Sequence, residues 1–225
     1  MTAPDINGLD ALLSRRHSCR AFLPDPIADA TIEQIVSTAQ KVPSWCNAQP
    51  WQLIVTRAPE TDRLRDALYA HAKSAPHAPD IPFPSRYADA YQDRRRTCGW
   101  ALYQAVGINK GDRAASTQQM LENFRFFGAP HMALITTEAD LGPYGLLDCG
   151  AFVTAFTLAA EALDVATIPQ AAIAGFAPFL RDWFALPDTR QIVCAISFGR
   201  SDKTHPANSF RTDRAPLNEA LTWAP

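Results

Sequence analysis

Apolar residues in this chain recur mostly at helical spacing, interrupted by proline-containing turns and by a few short apolar runs. Ile6, Leu9, Leu12 and Leu13 predict an amphipathic helix over 5–16 that delivers Arg16 to Arg20 at its carboxyl-terminal end. Pro24 and Pro26 make a turn, Asp29 is the expected N-cap, and Ile32, Ile35, Val36 and Ala39 form a second stripe ending near Lys41. A strand is predicted over Gln52–Thr56, followed by a helix over Glu60–Lys73 with Leu64, Ala67 and Leu68 inward. Further helices are predicted over Tyr87–Ile108 and Asp112–Phe126. His131–Thr136 alternates too little to have an exposed face, which predicts a central strand. Tyr144–Leu163 is the longest low-charge helix and is apolar all round, so burial on every side is expected, against its own sheet and a second subunit. Pro169–Ala172 predicts a bend, Pro178–Leu186 a short helix and Gln191–Gly199 a last core strand. With no internal repeat or low-complexity tract, 1–225 reads as a single domain.

Three segments break the pattern. Pro43-Ser44-Trp45-Cys46-Asn47-Ala48-Gln49-Pro50-Trp51 brackets polar residues and two indoles between prolines, where neither a helix nor a central strand continues. A rigid loop of this kind presents Ser and Asn side chains in fixed positions, as a grip on a ligand requires. Ala75–Ser85 carries Pro76, Pro79, Pro82 and Pro84, a loop too stiff for a disordered linker; with the helix after it, 75–110 reads as a lid or rim insertion. Residues 200–225 are polar and proline-punctuated and must lie on something else.

Composition narrows the field. At 225 residues the chain buries a substantial core, and a net charge of −2 gives no global attraction to nucleic acid or to an anionic membrane. Five cysteines at 19, 46, 98, 149 and 194 form an odd, scattered set that suggests neither a disulfide framework nor a zinc site, which points to the reducing cytoplasm. Met1–Asp10 is acidic without an apolar core, unlike a secretory signal, and Gly145–Ala160 is expected to be too short to span a bilayer.

The candidate chemistry lies in three clusters: Ser14–Phe22 with Arg15, Arg16, His17, Ser18 and Arg20; the Pro43–Trp51 loop; and Phe210–Arg214. Together they suit one anionic ligand, although arginines at a helix end also suit its dipole and need no ligand. Arg15 reads as structural. Arg94, Arg95 and Arg96 point to different helix faces and read as solvated, the alternative being that one meets a dinucleotide phosphate or a substrate carboxylate. His131 reads as a hydrogen-bonded core or strand-edge histidine, and the aromatics near 124–127 as core.

Arg16-x-Ser18-x-Arg20-x-Phe22, followed after a helix by Pro43-Ser44-x-x-Asn47-x-Gln49-Pro50-Trp51, resembles the FMN-dependent nitroreductase family. Phe127-Gly128-Ala129-Pro130, Ile168–Ala172 and Gly199–Arg214 extend the resemblance over most of the chain. It implies an α+β fold with a central mixed, mostly antiparallel sheet flanked by helices, in an intertwined homodimer whose carboxyl-terminal extension (200–225) wraps the partner. It implies FMN as cofactor and NAD(P)H as electron donor, with ping-pong hydride transfer to a small nitroaromatic, quinone or similar acceptor. Arg16 and Ser18, with Arg211 and Arg214, would meet the phosphate and ribityl chain, and Arg20 the pyrimidine edge. The aromatics near 124–127 would lie beside the substrate channel. Pro43, Ser44, Trp45 and Asn47 would hold the flavin from the neighbouring subunit. Pro169, Gln170, Ala171 and Ala172 would run beside the ring, a backbone N–H of Ala171 or Ala172 facing N5. No catalytic side chain is implied, because the hydride chemistry belongs to the cofactor.

Two departures stand out. His17 replaces the second Arg of Arg-Arg-Ser-x-Arg members and either contacts phosphate or packs, and Gln170-Ala171 stands where some members carry Glu-Gly. No Gly-x-Gly-x-x-Gly follows a strand, which agrees with nucleotide and acceptor taking turns over one flavin face. Other readings keep the fold and change the task, to dehalogenase-like or flavin-fragmenting chemistry, or to flavin binding without turnover.

Overall fold

The computed structural model describes residues 5–224; Met1–Pro4 of the acidic amino-terminal stretch and Pro225 of the tail lie outside the described residues. Four strands form one sheet in the order β1-β2-β4-β3: β1 (Gln52–Val55), β2 (His131–Glu138), β3 (Ala166–Gln170) and β4 (Arg190–Gly199). All three neighbouring pairs are antiparallel, and the parallel component is an isolated bridge between Ser18 and Thr167. The helices are α1 (Ile6–Arg15), α2 (Asp29–Ala39), α3 (Glu60–Ala72), α4 (Asp89–Ala105), α5 (Arg113–Leu121), α6 (Gly142–Ala162), α7 (Ala171–Ala174) and α8 (Ala177–Trp183).

The central strand β2 lacks polar alternation because both of its faces are covered. Met132 and Leu134 enter a core with α3, α7 and α8, while Ala133 and Ile135 enter a second core with α2 and α6. Phe156 of α6 and Phe198 of β4 are fully buried in an edge-to-face pair with centroids 5.7 Å apart, and each contributes roughly 1.5–3 kcal/mol by leaving water. His131 sits in this core, its Nε2 accepting from the Ile27 N–H at 2.9 Å and its Nδ1–H donating to the Thr56 carbonyl at 3.0 Å. Both ring nitrogens are satisfied, as expected.

Four expectations need correction. Ala28, not Asp29, is the N-cap of α2; Asp29 begins the helix, where its charge suits the dipole, and pairs with Arg57 at 2.7 Å. The predicted 112–126 helix stops at Leu121, and Glu122–Gly128 continues as 3-10 turns with Phe126 and Phe127 at φ of 59° and 51°, a conformation that lets both rings reach the core. The bend at Pro169 is the end of a strand: β3 is the edge of the sheet, where a residue without an N–H is tolerated. Within the chain α6 packs on the sheet and leaves Tyr144 and Leu147 exposed. The helical run Ala139–Ala162 is also long and apolar enough to cross a membrane by length and composition, so shortness is no argument; it packs on α2, β2 and β3 as a core helix does.

Gly199 closes β4 against the Pro130 ring: a Cβ there would lie 2.5 Å from the proline Cδ. Gly199→Ala is therefore expected to destabilise the fold by about 1–3 kcal/mol in urea denaturation; an unchanged midpoint would show that Pro130 moves aside. Burial holds the pKa of His131 below its ordinary 6.5. The unfolded chain then takes up a proton before the folded one, so stability should fall as pH drops through about 6.5. An NMR titration of His131 with a midpoint at or above 6.5 would contradict this.

Candidate active site

The segment after α1 runs beside the edge strand β3: the Cys19 N–H donates to the Thr167 carbonyl at 3.0 Å, next to the Ser18–Thr167 bridge. Asn208 clips this segment to the tail. Its Oδ1 accepts from the Arg20 N–H at 2.7 Å, while its Nδ2 donates to the Ala21 and Asp202 carbonyls at 2.9 and 2.8 Å. The clip joins two clusters that lie 188 positions apart in the chain.

Between them opens a cleft of about 660 Å³ lined by Arg16, His17, Ser18, Arg20, Arg211 and Arg214, together with Asp10, Cys98 and Phe210. Among the described residues, none of the four arginines is ion-paired with a carboxylate. Backbone oxygens hold three of them instead. Arg20 donates to the Ser18 carbonyl at 3.2 Å and lies 5.6 Å from the centroid of the Phe210 ring; Arg211 donates to the Asn208 and Phe210 carbonyls at 2.9 and 2.8 Å; Arg214 donates to the Thr212 carbonyl at 3.1 Å. Burial lowers the pKa of Arg20, yet a guanidinium remains charged at any physiological pH. Burial also lowers that of His17, against the opposing effect of its hydrogen bond to the Arg15 carbonyl, and Arg211 lowers it further. Arg15 faces away and pairs with Glu161 at 3.0 Å, a structural contact as expected.

Ser18 and Arg20 also line a second lobe of about 320 Å³, whose wall is Pro169, Gln170, Ala171 and Ala172 at the β3–α7 junction. Opposite stand Leu102 and Tyr103 of α4, with Gln119, Met120, Asn123 and Phe127. Both lobes fall within the roughly 300–1,000 Å³ common for small-molecule sites. The two N–H groups that open α7 have no acceptor within that helix, so Ala171 and Ala172 offer backbone donors at this wall. Gln170 contributes main chain only: its side chain is 3% exposed and is hydrogen-bonded to Ser197 and Asn123.

Pro43, Ser44, Trp45 and Asn47 line neither lobe. Their loop docks on the start of α6, where the Trp45 N–H donates to Asp148 at 3.0 Å and the indole lies tilted against the Tyr144 ring, with centroids 4.7 Å apart. Ser44 Oγ accepts from the Gln49 N–H at 2.9 Å, and Cys46, Asn47 and Gln49 all have positive φ, so the loop is fixed as expected. Sequence reasoning did not single out Cys98, Tyr103, Gln119 and Asn123 as lining residues. Cys98 and Leu102 are four residues apart, a spacing that marks a shared face of α4, whereas Asn123 lies beyond the end of α5 in the 122–128 turns, where no helical spacing marks it.

The fold and groove thus define a small-molecule-binding α+β protein with a cationic lobe beside an amide- and aromatic-lined one. The pattern of the nitroreductase family matches residues 13–200. The chain is 34% identical over 206 residues to a 4-nitrobenzoate reductase of Pseudomonas putida, covering 91% of this chain and 90% of that protein. It is 33% identical to the nitroreductase NfnB of Mycolicibacterium smegmatis, covering 96% and 92% of the two chains. The crystal structure of the FMN-dependent nitroreductase NfnB from Mycobacterium smegmatis in complex with NADPH superposes with a TM-score of 0.92 at 29% identity, covering 97% and 99%. This chain belongs to the nitroreductase family.

Proposed function

We propose that this protein is an FMN-dependent NAD(P)H oxidoreductase of the nitroreductase type, reducing small nitroaromatic, quinone or similar acceptors. The observation that carries the reading is the groove itself, in which four guanidinium groups without carboxylate partners among the described residues adjoin a lobe large enough for a planar ring. The donor set fits FMN. A phosphate monoester carries about −1.5 to −2 charges at neutral pH and matches guanidinium forks, each charge-assisted hydrogen bond contributing roughly 1.5–3 kcal/mol. When bound, FMN supplies two-electron chemistry, accepting hydride from NAD(P)H and passing it to the acceptor in a ping-pong cycle.

Arg16, Arg211 and Arg214 would take the phosphate, with Ser18 and His17 completing polar contacts toward the ribityl chain. Arg20 would place a half-buried positive charge beside the ring, held by the Ser18 carbonyl and Phe210. Pro169 to Ala172 would form the ring's edge contact, with Ala171 or Ala172 donating a backbone N–H. The second lobe would hold nicotinamide and acceptor in turn.

The reading includes a homodimer. Ile6, Leu9 and Leu13 leave α1 with an apolar face exposed within the chain, and Trp45, Tyr144 and Leu147 extend that exposure. A second copy would cover them and bring Pro43, Ser44, Trp45 and Asn47 to the flavin of its partner. Leu217 and Trp223, exposed at 72% and 82%, suit a tail that lies over the partner, while an Arg94–Glu219 ion pair fastens the same tail to α4. We read 5–224 as a single domain, in which α4 supplies the groove rim and the Pro-rich segment is anchored by Asp80 to Arg181 at 2.8 Å. A cytoplasmic location agrees with five unpaired cysteines.

The purified protein is expected to be yellow, to bleach on anaerobic addition of NADPH or NADH, and to recover colour with a nitroaromatic or quinone. Arg16→Ala and Arg211→Ala should each weaken FMN binding roughly ten- to a hundredfold, the loss of one charge-assisted contact. A colourless protein that cannot be loaded with FMN would overturn the reading. Truncation after Arg214, which spares the Asn208 clip, should shift the dimer toward monomer in sedimentation; an unchanged dimer would remove the tail from the interface.

A further inference from the structure

The Gln170 side chain turns away from the groove and binds two other elements at once. In the β3–β4 ladder Gln170 lies opposite Ala195 and Ile168 opposite Ser197, so Gln170 and Ser197 are diagonal neighbours on one sheet face. Gln170 Oε1 accepts from the Ser197 hydroxyl, while Nε2 donates to the Asn123 carbonyl at 2.9 Å and to its Oδ1 at 3.2 Å. Asn123 in turn donates through Nδ2 to the Met120 carbonyl at 2.9 Å. Ser197 is fully buried and Gln170 nearly so.

The chemistry of the partners sets the orientation of the amide. The Asn123 backbone oxygen only accepts, so the atom facing it must be the NH2, and the Ser197 hydroxyl then donates to the remaining oxygen. A carboxylate of the same shape would set acceptors against acceptors at Asn123. A hydrocarbon would leave buried polar atoms on both sides without partners. The tether spans irregular backbone, because Glu122–Gly128 contains two left-handed phenylalanines and α7 is a single turn; neither has a ladder of its own to fix it. Met120, Asn123 and residues 170–172 all line the second lobe.

We infer that Gln170 is a positioning residue, whose side-chain bridge from Ser197 to Asn123 sets the main chain of Ala171 and Ala172 at the groove wall where a flavin ring would lie. The inference rests on the flavin reading above. Gln170 touches no substrate or cofactor through its side chain and acts through the backbone it holds.

Gln170→Glu keeps the volume and reverses the donor, Gln170→Leu removes both bonds, and Ser197→Ala removes one. FMN affinity, held mainly by the arginines, should change by less than about fivefold in each, against the tenfold or more expected for a lost charged contact. The rate of flavin reduction by NAD(P)H in the loaded protein should fall roughly ten- to a hundredfold in the two Gln170 variants, less in Ser197→Ala, with a shifted flavin midpoint potential. Loaded variants with wild-type reduction rate and potential would overturn the inference. Should Gln170→Leu fail to fold, Gln170→Glu and Ser197→Ala decide. Amide hydrogen exchange at Ala171, Ala172 and Asn123 in the flavin-free protein is the independent readout: faster exchange is expected in the variants, and unchanged exchange would overturn the proposal. A wild-type protein that takes up no FMN would defeat the flavin reading instead, leaving the exchange experiment to judge the tether.

Discussion

Burial of β2 and β4 on both faces is the constraint that shapes the molecule. A strand with Met132 and Leu134 on one side and Ala133 and Ile135 on the other needs apolar cover twice, which places helices in two layers. With the middle of the sheet closed, functional backbone is left at its edges. β3 is such an edge, and the segment 16–22 follows it through a single bridge and a single main-chain bond rather than as a full strand. That loose attachment leaves Arg16, His17 and Arg20 free to face a cleft instead of pairing side by side in a ladder.

Four like charges gathered around one cleft repel each other, in a chain whose overall charge is slightly negative. The fold tolerates this by giving Arg20, Arg211 and Arg214 carbonyl oxygens and one aromatic face, which orient the cations without neutralising them. The positive field is therefore left for a ligand, and its geometry exists before binding. Preorganisation of this kind lowers the entropy lost when an anion arrives. Asn208 carries the arrangement, since its one amide satisfies the backbone of residues 20, 21 and 202 and fixes where the tail begins.

Local chemistry made part of the site legible from the chain. Arg16, Ser18 and Arg20 alternate along one short extended segment, and Arg211 and Arg214 stand close together in the tail, so each cluster is visible alone. Gln170 shows the opposite case. Its position beside the groove follows from the Ile168–Ala172 motif, but the inward turn of its side chain depends on Ser197 and Asn123, which no local pattern links to it. Tyr103 and Asn123 sit on ordinary helical or turn positions and become lining residues only because α4 and the 122–128 turns close over the β3–α7 junction.

Sequence by itself determined the kind of element at most positions, because hydrophobic period reports which sides of a segment leave water: 3.6 for the helices, an unbroken run for β2. It also determined that the loop 43–51 is stiff and that the cationic clusters exist. Tertiary structure alone decided that Pro169 lies in an edge strand, that the helix after Asp112 stops at Leu121 so that Phe126 and Phe127 can be buried, and that the cleft shared by residues 16–20 and 210–214 is not lined by the 43–51 loop of the same chain. The reason is physical. Period encodes burial one element at a time, whereas these outcomes are set by hydrogen bonds and ring contacts between segments up to 188 residues apart, whose partners exist only once the sheet has closed.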